Sequence, residues 1–170
     1  MSPTSTKRPK CAKMAVICGT TGELSLTIRR FQLQDLDRIL RVEKEAFGRR
    51  AWSAGQFRHY ADAYHRLFLV AVVDSTIAAY SITRTSENRA ELDSIAVAKQ
   101  YQNRGIGSAF LGSLIRKLQS EGFETLSLMV RRDDERAIRF YRDLGFRRIR
   151  TVPNYYEGGE TAWRMQRALR

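Results

Sequence analysis

The chain is poor in the residues that build disulfide frameworks and metal centres. It has two cysteines, Cys11 and Cys18, both near the start, and two histidines, His59 and His65. No second Cys or His pair stands at zinc spacing, so neither a metal site nor a disulfide framework is expected, and a reducing cytoplasmic setting is the simplest reading. The two histidines fall on or after an amphipathic stretch without a ligand partner and receive no catalytic role. Long apolar runs are missing too. None approaches the roughly 20 residues of a membrane span, and the run MAVIC is too short for a signal-peptide core, so a soluble protein with no membrane partner is expected. Acidic side chains are the third deficit: 18 Asp and Glu stand against 30 Lys and Arg, a formal net charge of +12. That balance favours polyanionic partners such as a phosphorylated cofactor, RNA or an acidic protein. The first 22 residues carry no acidic residue at all. They read as a disordered basic tail over 1–23, with Met14 an alternative start, ahead of a single domain over 24–170.

What is present is a globular composition, 43% hydrophobic and 10% aromatic, long enough for a real core. Leu24, Leu26 and Ile28 alternate as in a strand with one buried face. The period then changes, with Leu36, Ile39, Leu40, Glu43 and Phe47 at helical spacing, and Ser53 with Gln56 forms a capping-box pattern for a second helix towards Tyr64. LFLVAVV (67–73), TIAAYSITR (76–84) and AELDSIAV (90–97) are β-rich runs separated by short polar turns, an antiparallel meander. Ile106, Phe110, Leu114 and Leu118 mark a helix ended by Gly122, and ETLSLMV (124–130) a strand. A further helix starts at Asp133 or Asp134 and stops at Gly145, and RRIRTV and TAWRMQRAL close the chain as strands. The order predicts an α+β (mixed α/β) fold, a central mixed sheet with helices on both faces, without repeats or linkers.

Between the meander and its helix lies the polar turn AKQYQNRGIGS, with Gln102, Arg104, Gly105 and Gly107. A helix start leaves backbone N–H groups pointing outward, and glycines let another molecule approach them. Such a turn suits an anion: the pyrophosphate of a nucleotide-like cofactor, nucleic-acid phosphate, or only solvent at an ordinary helix start. A dinucleotide-binding reading fails, because Ser108–Phe110 stand where a third glycine belongs, and no G-K-[ST] follows for a P-loop.

Gln102, Gly105 and Gly107, directly after IAV (95–97), fit the Q/R-x-x-G-x-G/A signature of the GNAT acetyltransferase superfamily. RDDERAIRFYRDLGF resembles the N-x-x-A-x-x-x-Y-x-x-x-G-F segment of that superfamily. NYYEGGETAWRM resembles the end of the RimI-type ribosomal-protein alanine N-acetyltransferases, and AWSAGQF their PWS helix start. The resemblance covers about residues 24–169, in the expected motif order. It implies acetyl-CoA as cofactor, with CoA as product. The pyrophosphate would rest on N–H groups of Arg104, Gly105, Ile106, Gly107 and Ser108, in the same turn as Gln102 and Asn103. Ile95, Ala96 and Val97 would offer backbone groups to the pantetheine arm and the thioester carbonyl, and Asp134 and Ala137 of the later segment would also belong to the cofactor site. Tyr141 would give a proton to the departing thiolate; its helical spacing with Ile138 and Leu144 equally suits a core aromatic.

The sequence departs from RimI-type enzymes at the strand twelve residues before Tyr141. Where they carry a glutamate, it has Met129, which accepts no proton. The cofactor segment's usual asparagine is Asp134, able to cap its helix but repelling phosphate if close. Glu91 and Asp93, two apart and so on one strand face, are the replacement candidates. Other GNAT branches place bases at these positions, and Glu91 is preferred, acting through water. The alternative is that both merely balance Arg84 or Arg89. Trp52, Tyr155 and Tyr156, with Glu157 and Glu160, would frame the entering amine, or simply pack and turn.

These features predict an acetyl-CoA-dependent N-acetyltransferase working by direct amine attack, on a protein N-terminal α-amine in the RimI-like reading, or on lysine or a small amine. Two others are a CoA-binding regulator without turnover, and a basic RNA-binding module built on the Arg136, Arg139, Arg142 stripe. Nucleic acid is the weaker partner, since such stripes are usually solvated helix faces. A monomer or homodimer is expected, the last hairpin offering an exposed strand edge.

Overall fold

The structure is a computed structural model that describes residues 12–16, 24–156 and 158–170. In chain order it has β1 (Ala12–Val16), β2 (Leu24–Arg30), α1 (Leu36–Phe47), α2 (Ala54–Tyr64), β3 (Phe68–Val73), β4 (Thr76–Ser86) and β5 (Arg89–Val97). There follow α3 (Ile106–Ser120), β6 (Thr125–Arg131), α4 (Glu135–Asp143), β7 (Arg147–Val152) and β8 (Ala162–Ala168). From Leu24 onward the elements follow the order expected of the sequence. Ahead of it the structure differs: Ala12–Val16 is an edge strand whose backbone pairs antiparallel with β2. A five-residue segment with no periodicity of its own gains its place only from the ladder it joins. The rest of the expected tail lies outside the described residues.

One eight-stranded sheet runs β1-β2-β3-β4-β5-β6-β8-β7. Every pairing is antiparallel except β5 with β6, the neighbours separated by the α3 crossover, as a parallel pair requires. The run LFLVAVV is apolar at every position because both sheet faces are covered. Phe68 and Val70 face one core with Leu36, Ile39 and Val42 of α1 and Phe57 of α2. Leu69, Ala71 and Val73 face the other, with Ile106, Phe110, Leu114 and Leu118 of α3. Ser53 and Gln56 exchange the two hydrogen bonds of a capping box and set where α2 begins.

Two irregularities in the sheet make the cleft. The β5–β6 pairing stops at Leu92 and Leu128, after which β5 stays with β4 and β6 with β8, so the strands part. Near the same level a bulge in β5 pairs Thr83 with Leu92 and Ile82 with Ser94, leaving Asp93 as the extra residue. A bulge of this kind re-aims a side chain and ends regular pairing.

Candidate active site

The first half of the site is built at the start of α3. Gly105 caps the helix in the left-handed region, φ +75°, with no side chain supplying a cap, and a Cβ there would meet nothing within 4 Å. The first-turn N–H groups therefore face an open approach, at the end of the helix dipole that favours an anion. Gly107 is placed differently. A Cβ on it would meet Val97 Cγ2 at 3.4 Å and the Phe140 ring at 3.6 Å, ordinary contacts at the seam where α3 lies against β5 and α4. Gln102 Nε2 donates to the Val97 carbonyl at 3.0 Å and Arg136 Nη2 to Asn103 Oδ1 at 3.1 Å, bracing the turn from both sides.

Between this turn, the free end of β5 and α4 lies a cleft of about 490 Å³. Ile95, Ala96 and Val97 form one wall, with Gln102, Asn103, Gly105, Gly107 and Ser108 at the turn and Asp134, Ala137 and Tyr141 opposite. The cofactor residues named from sequence thus converge, apart from the side chains of two. Ile106 is buried in the α3 core, and Arg104 is exposed outside the cleft lining. Asp134 accepts from Ala137 N–H at 2.9 Å, capping α4. The turn's outward amides, a glycine with open space before it and an apolar wall of β5 suit a phosphate group joined to a flexible apolar arm, the shape of CoA.

A second cavity of about 440 Å³ shares Tyr141, Ile95, Asp134 and Ala137 with the first and continues through the gap between β5 and β6. Trp52, Asp93, Ser94, Met129 and Tyr156 line it. Tyr141 stands at the junction, and burial first, then the Asp134 charge, pushes its hydroxyl well above the ordinary tyrosine value, so it is protonated at neutral pH. Arg84 Nη2 donates to Asp93 Oδ1 at 2.8 Å, with a second bond from Nε to the other carboxylate oxygen. Burial raises the Asp93 carboxyl, and Arg84 pulls against that rise.

Glu91 is not in this cavity. It sits 3.9 Å from Arg84 Nη2 and 3.8 Å from Arg164 Nη2, and lines a separate depression further down the sheet. Tyr155 is exposed and meets Tyr156 edge-on at 4.9 Å. Glu157 lies outside the described residues, and Glu160 pairs with Arg131 at 2.7 Å.

Sequence reasoning passed over Glu43. It occupies a core-facing position of α1, yet it is a carboxylate only 1% exposed that borders the second cavity. It accepts from Trp52 N–H at 2.8 Å and from the Tyr80 hydroxyl, which in turn lies 2.9 Å from Ser94 Oγ. Burial raises its carboxyl despite those two donors. The available signal was the residue itself, since a glutamate in an apolar stripe is seldom there for packing.

Residues 33–146 match the acetyltransferase (GNAT) family, and the chain belongs to it. It is a GNAT-fold acetyltransferase, the class that moves acetyl from acetyl-CoA to an amine. It is 35% identical over 131 residues to the bS18-alanine N-acetyltransferase of Salmonella typhimurium, covering 76% of this chain and 86% of that protein. The crystal structure of the ribosomal-protein-S18-alanine N-acetyltransferase from Escherichia coli superposes with TM-score 0.76 at 30% identity, over 85% of this chain and 94% of that one. An uncharacterised protein of Mycobacterium leprae is 36% identical over 139 residues, covering 78% of this chain, which spans 38% of that longer protein. Among the described residues no helix is long and apolar enough to cross a membrane, and no group of three or more His, Cys, Asp or Glu could hold a metal.

Proposed function

We propose that the protein acetylates the α-amino group at the start of a polypeptide, in the manner the names of its bS18-alanine relatives describe. The observation that carries this reading is the second cavity. It includes Tyr141 but none of the turn residues 102–108, and it is bordered by aromatic side chains and carboxylates fit for an entering ammonium. The cofactor supplies an activated acetyl thioester. Attack requires the amine in its neutral form, and an α-amino group, with a reference pKa of about 8, yields that form far more readily than lysine at about 10.4.

In this proposal Asp93, in the bulge beside the gap, takes the proton released as the amine becomes neutral, directly or through a water. Glu91 lies too far down the sheet for direct contact and shapes the charge around Arg84 and Arg164. Preorganised N–H groups of Ile95 and Val97 at the edge of the cleft steady the carbonyl oxygen as charge grows there. Tyr141 O–H gives its proton to the departing sulfur, and the raised value of that hydroxyl keeps the proton in place until it is needed. The test is intact and fragment mass spectrometry after incubation with acetyl-CoA and a peptide offering one free α-amine and one lysine. Acetyl on the α-amine is the expected result. Acetyl on lysine alone, or on neither while CoA binds, overturns the reading.

A further inference from the structure

Beyond the acceptor cavity, on the same face of the sheet, lies a separate depression of about 650 Å³ whose lining is unusually basic. Four guanidinium groups border it, from Arg84, Arg89, Arg150 and Arg164, against the single carboxylate of Glu91. No residue lines both this depression and the acceptor cavity, but two contacts join them. Arg84 holds Asp93, and Met129, which lines the acceptor cavity, faces Arg164 directly across the β6–β8 ladder. Arg164 in turn faces Arg150 across β8–β7. Arg84 is committed to Asp93, and Arg89 leans towards Glu87 at 3.5 Å. Arg164 reaches Ser127 Oγ at 3.1 Å and stands 3.8 Å from Glu91, while the Arg150 side chain makes no ion pair or hydrogen bond among the described residues. A carboxylate at position 129 would have stood opposite Arg164; methionine adds no negative charge to this corner.

We propose that this depression is a specificity subsite for acidic side chains of the acceptor chain, read by Arg150 and Arg164. The inference rests on the acceptor being a polypeptide α-amine. Strands lie about 4.8 Å apart, so Arg150 is about 10 Å from Met129, the reach of about three extended residues. Carboxylates at positions 2 to 4 of the acceptor therefore meet the two arginines once the amine is seated at the gap. The planar guanidinium binds a carboxylate through paired hydrogen bonds, a geometry lysine or glutamine does not reproduce.

The experiment compares three otherwise identical peptides carrying Glu, Gln or Lys at positions 2 to 4, with kcat and KM measured separately for wild type, Arg150→Gln and the Arg150→Gln, Arg164→Gln pair. A roughly tenfold preference in kcat/KM for the Glu peptide over the Gln peptide is expected, the order of one charge-assisted contact. It should sit in KM, shrink as salt is raised, and fall to about threefold or less in the double variant. A merely structural role for the arginines would weaken all three peptides alike. Equal rates for Glu and Gln peptides, a preference for Lys, or a Glu preference that survives the double substitution overturns the subsite while leaving α-amine acetylation standing. Acetylation of none of them, with acetyl-CoA still bound, overturns the acceptor reading and this one with it.

Discussion

Replacing Glu43 tests whether the buried carboxylate bordering the acceptor cavity is a structural acceptor in the folded protein. Glu43→Ala strands the Trp52 N–H that it now satisfies at 2.8 Å, at the turn that leads into α2. The Tyr80 hydroxyl loses the same partner but keeps Ser94 Oγ at 2.9 Å. One orphaned donor costs about 1–3 kcal/mol, and the void left by the removed atoms adds to it. A total of about 2–4 kcal/mol corresponds to a fall in Tm of roughly 5–15 °C for a domain of this size. Glu43→Gln retains a carbonyl for Trp52 and an amide to donate to Tyr80, so its loss should be far smaller at neutral pH. The pH dependence sharpens the comparison. Burial raises the Glu43 carboxyl above its ordinary 4.5, so over the interval above 4.5 the folded state holds a proton the unfolded chain has released. The stabilising contribution is complete below that ordinary value and is lost as pH rises through the raised one. Thermal melts from pH 4 to 8 should show wild type losing stability relative to Glu43→Gln as pH rises. An alanine variant as stable as wild type, or a glutamine variant whose difference from wild type ignores pH, would refute the reasoning.

Tyr141→Phe should lower kcat by about 10²–10⁴-fold, the usual yield of a positioned acid, with little change in acetyl-CoA affinity measured by calorimetry; an unchanged kcat would remove Tyr141 from the chemistry. The two glycines of the turn should separate: Gly105→Ala places a side chain at φ +75°, costs about 1–2 kcal/mol and weakens CoA binding by distorting the helix start. Gly107→Ala adds a methyl at 3.4 Å from Val97, an ordinary contact, and a larger loss of CoA affinity there than at Gly105 would contradict these roles. Asp35, almost wholly buried, accepts from Arg29 and from Gln32 N–H. Burial pushes its carboxyl up, but those donors outweigh it and hold the value below the ordinary 3.8. Its stability is therefore present above 3.8 and lost as pH falls through the folded value; Asp35→Asn should cost about 1–3 kcal/mol at neutral pH and soften acid unfolding in denaturant titrations.

Local sequence was enough for the element order after Leu24 and for the turn at Gly105, because periodicity, caps and left-handed glycines act over a few residues. The Q-x-x-G-x-G run and the FYRDLGF helix could be matched as patterns for the same reason, and the fold brings both to one cleft. The relation of Glu91 to Asp93 could not be read this way. Two residues apart on a strand they share a face, yet the bulge and the parting of β5 from β6 put Asp93 at the gap and leave Glu91 among arginines of β4 and β8. Nor could the role of Gln102, whose amide ties the turn to Val97, or the different surroundings of Gly105 and Gly107.

The sequence by itself determined the alternation of strands and helices, the helix start with outward amides and the excess of positive charge, since each depends on a residue and its near neighbours. The tertiary structure alone decided that Glu43 of α1, Tyr80 of β4 and Ser94 of β5 form one hydrogen-bonded chain beside the acceptor cavity, and that Arg84, Arg150 and Arg164 border one depression. Those meetings depend on strand order, register and the irregularities in the β4–β5 and β7–β8 ladders, which the whole hydrogen-bonded sheet fixes and no short segment encodes.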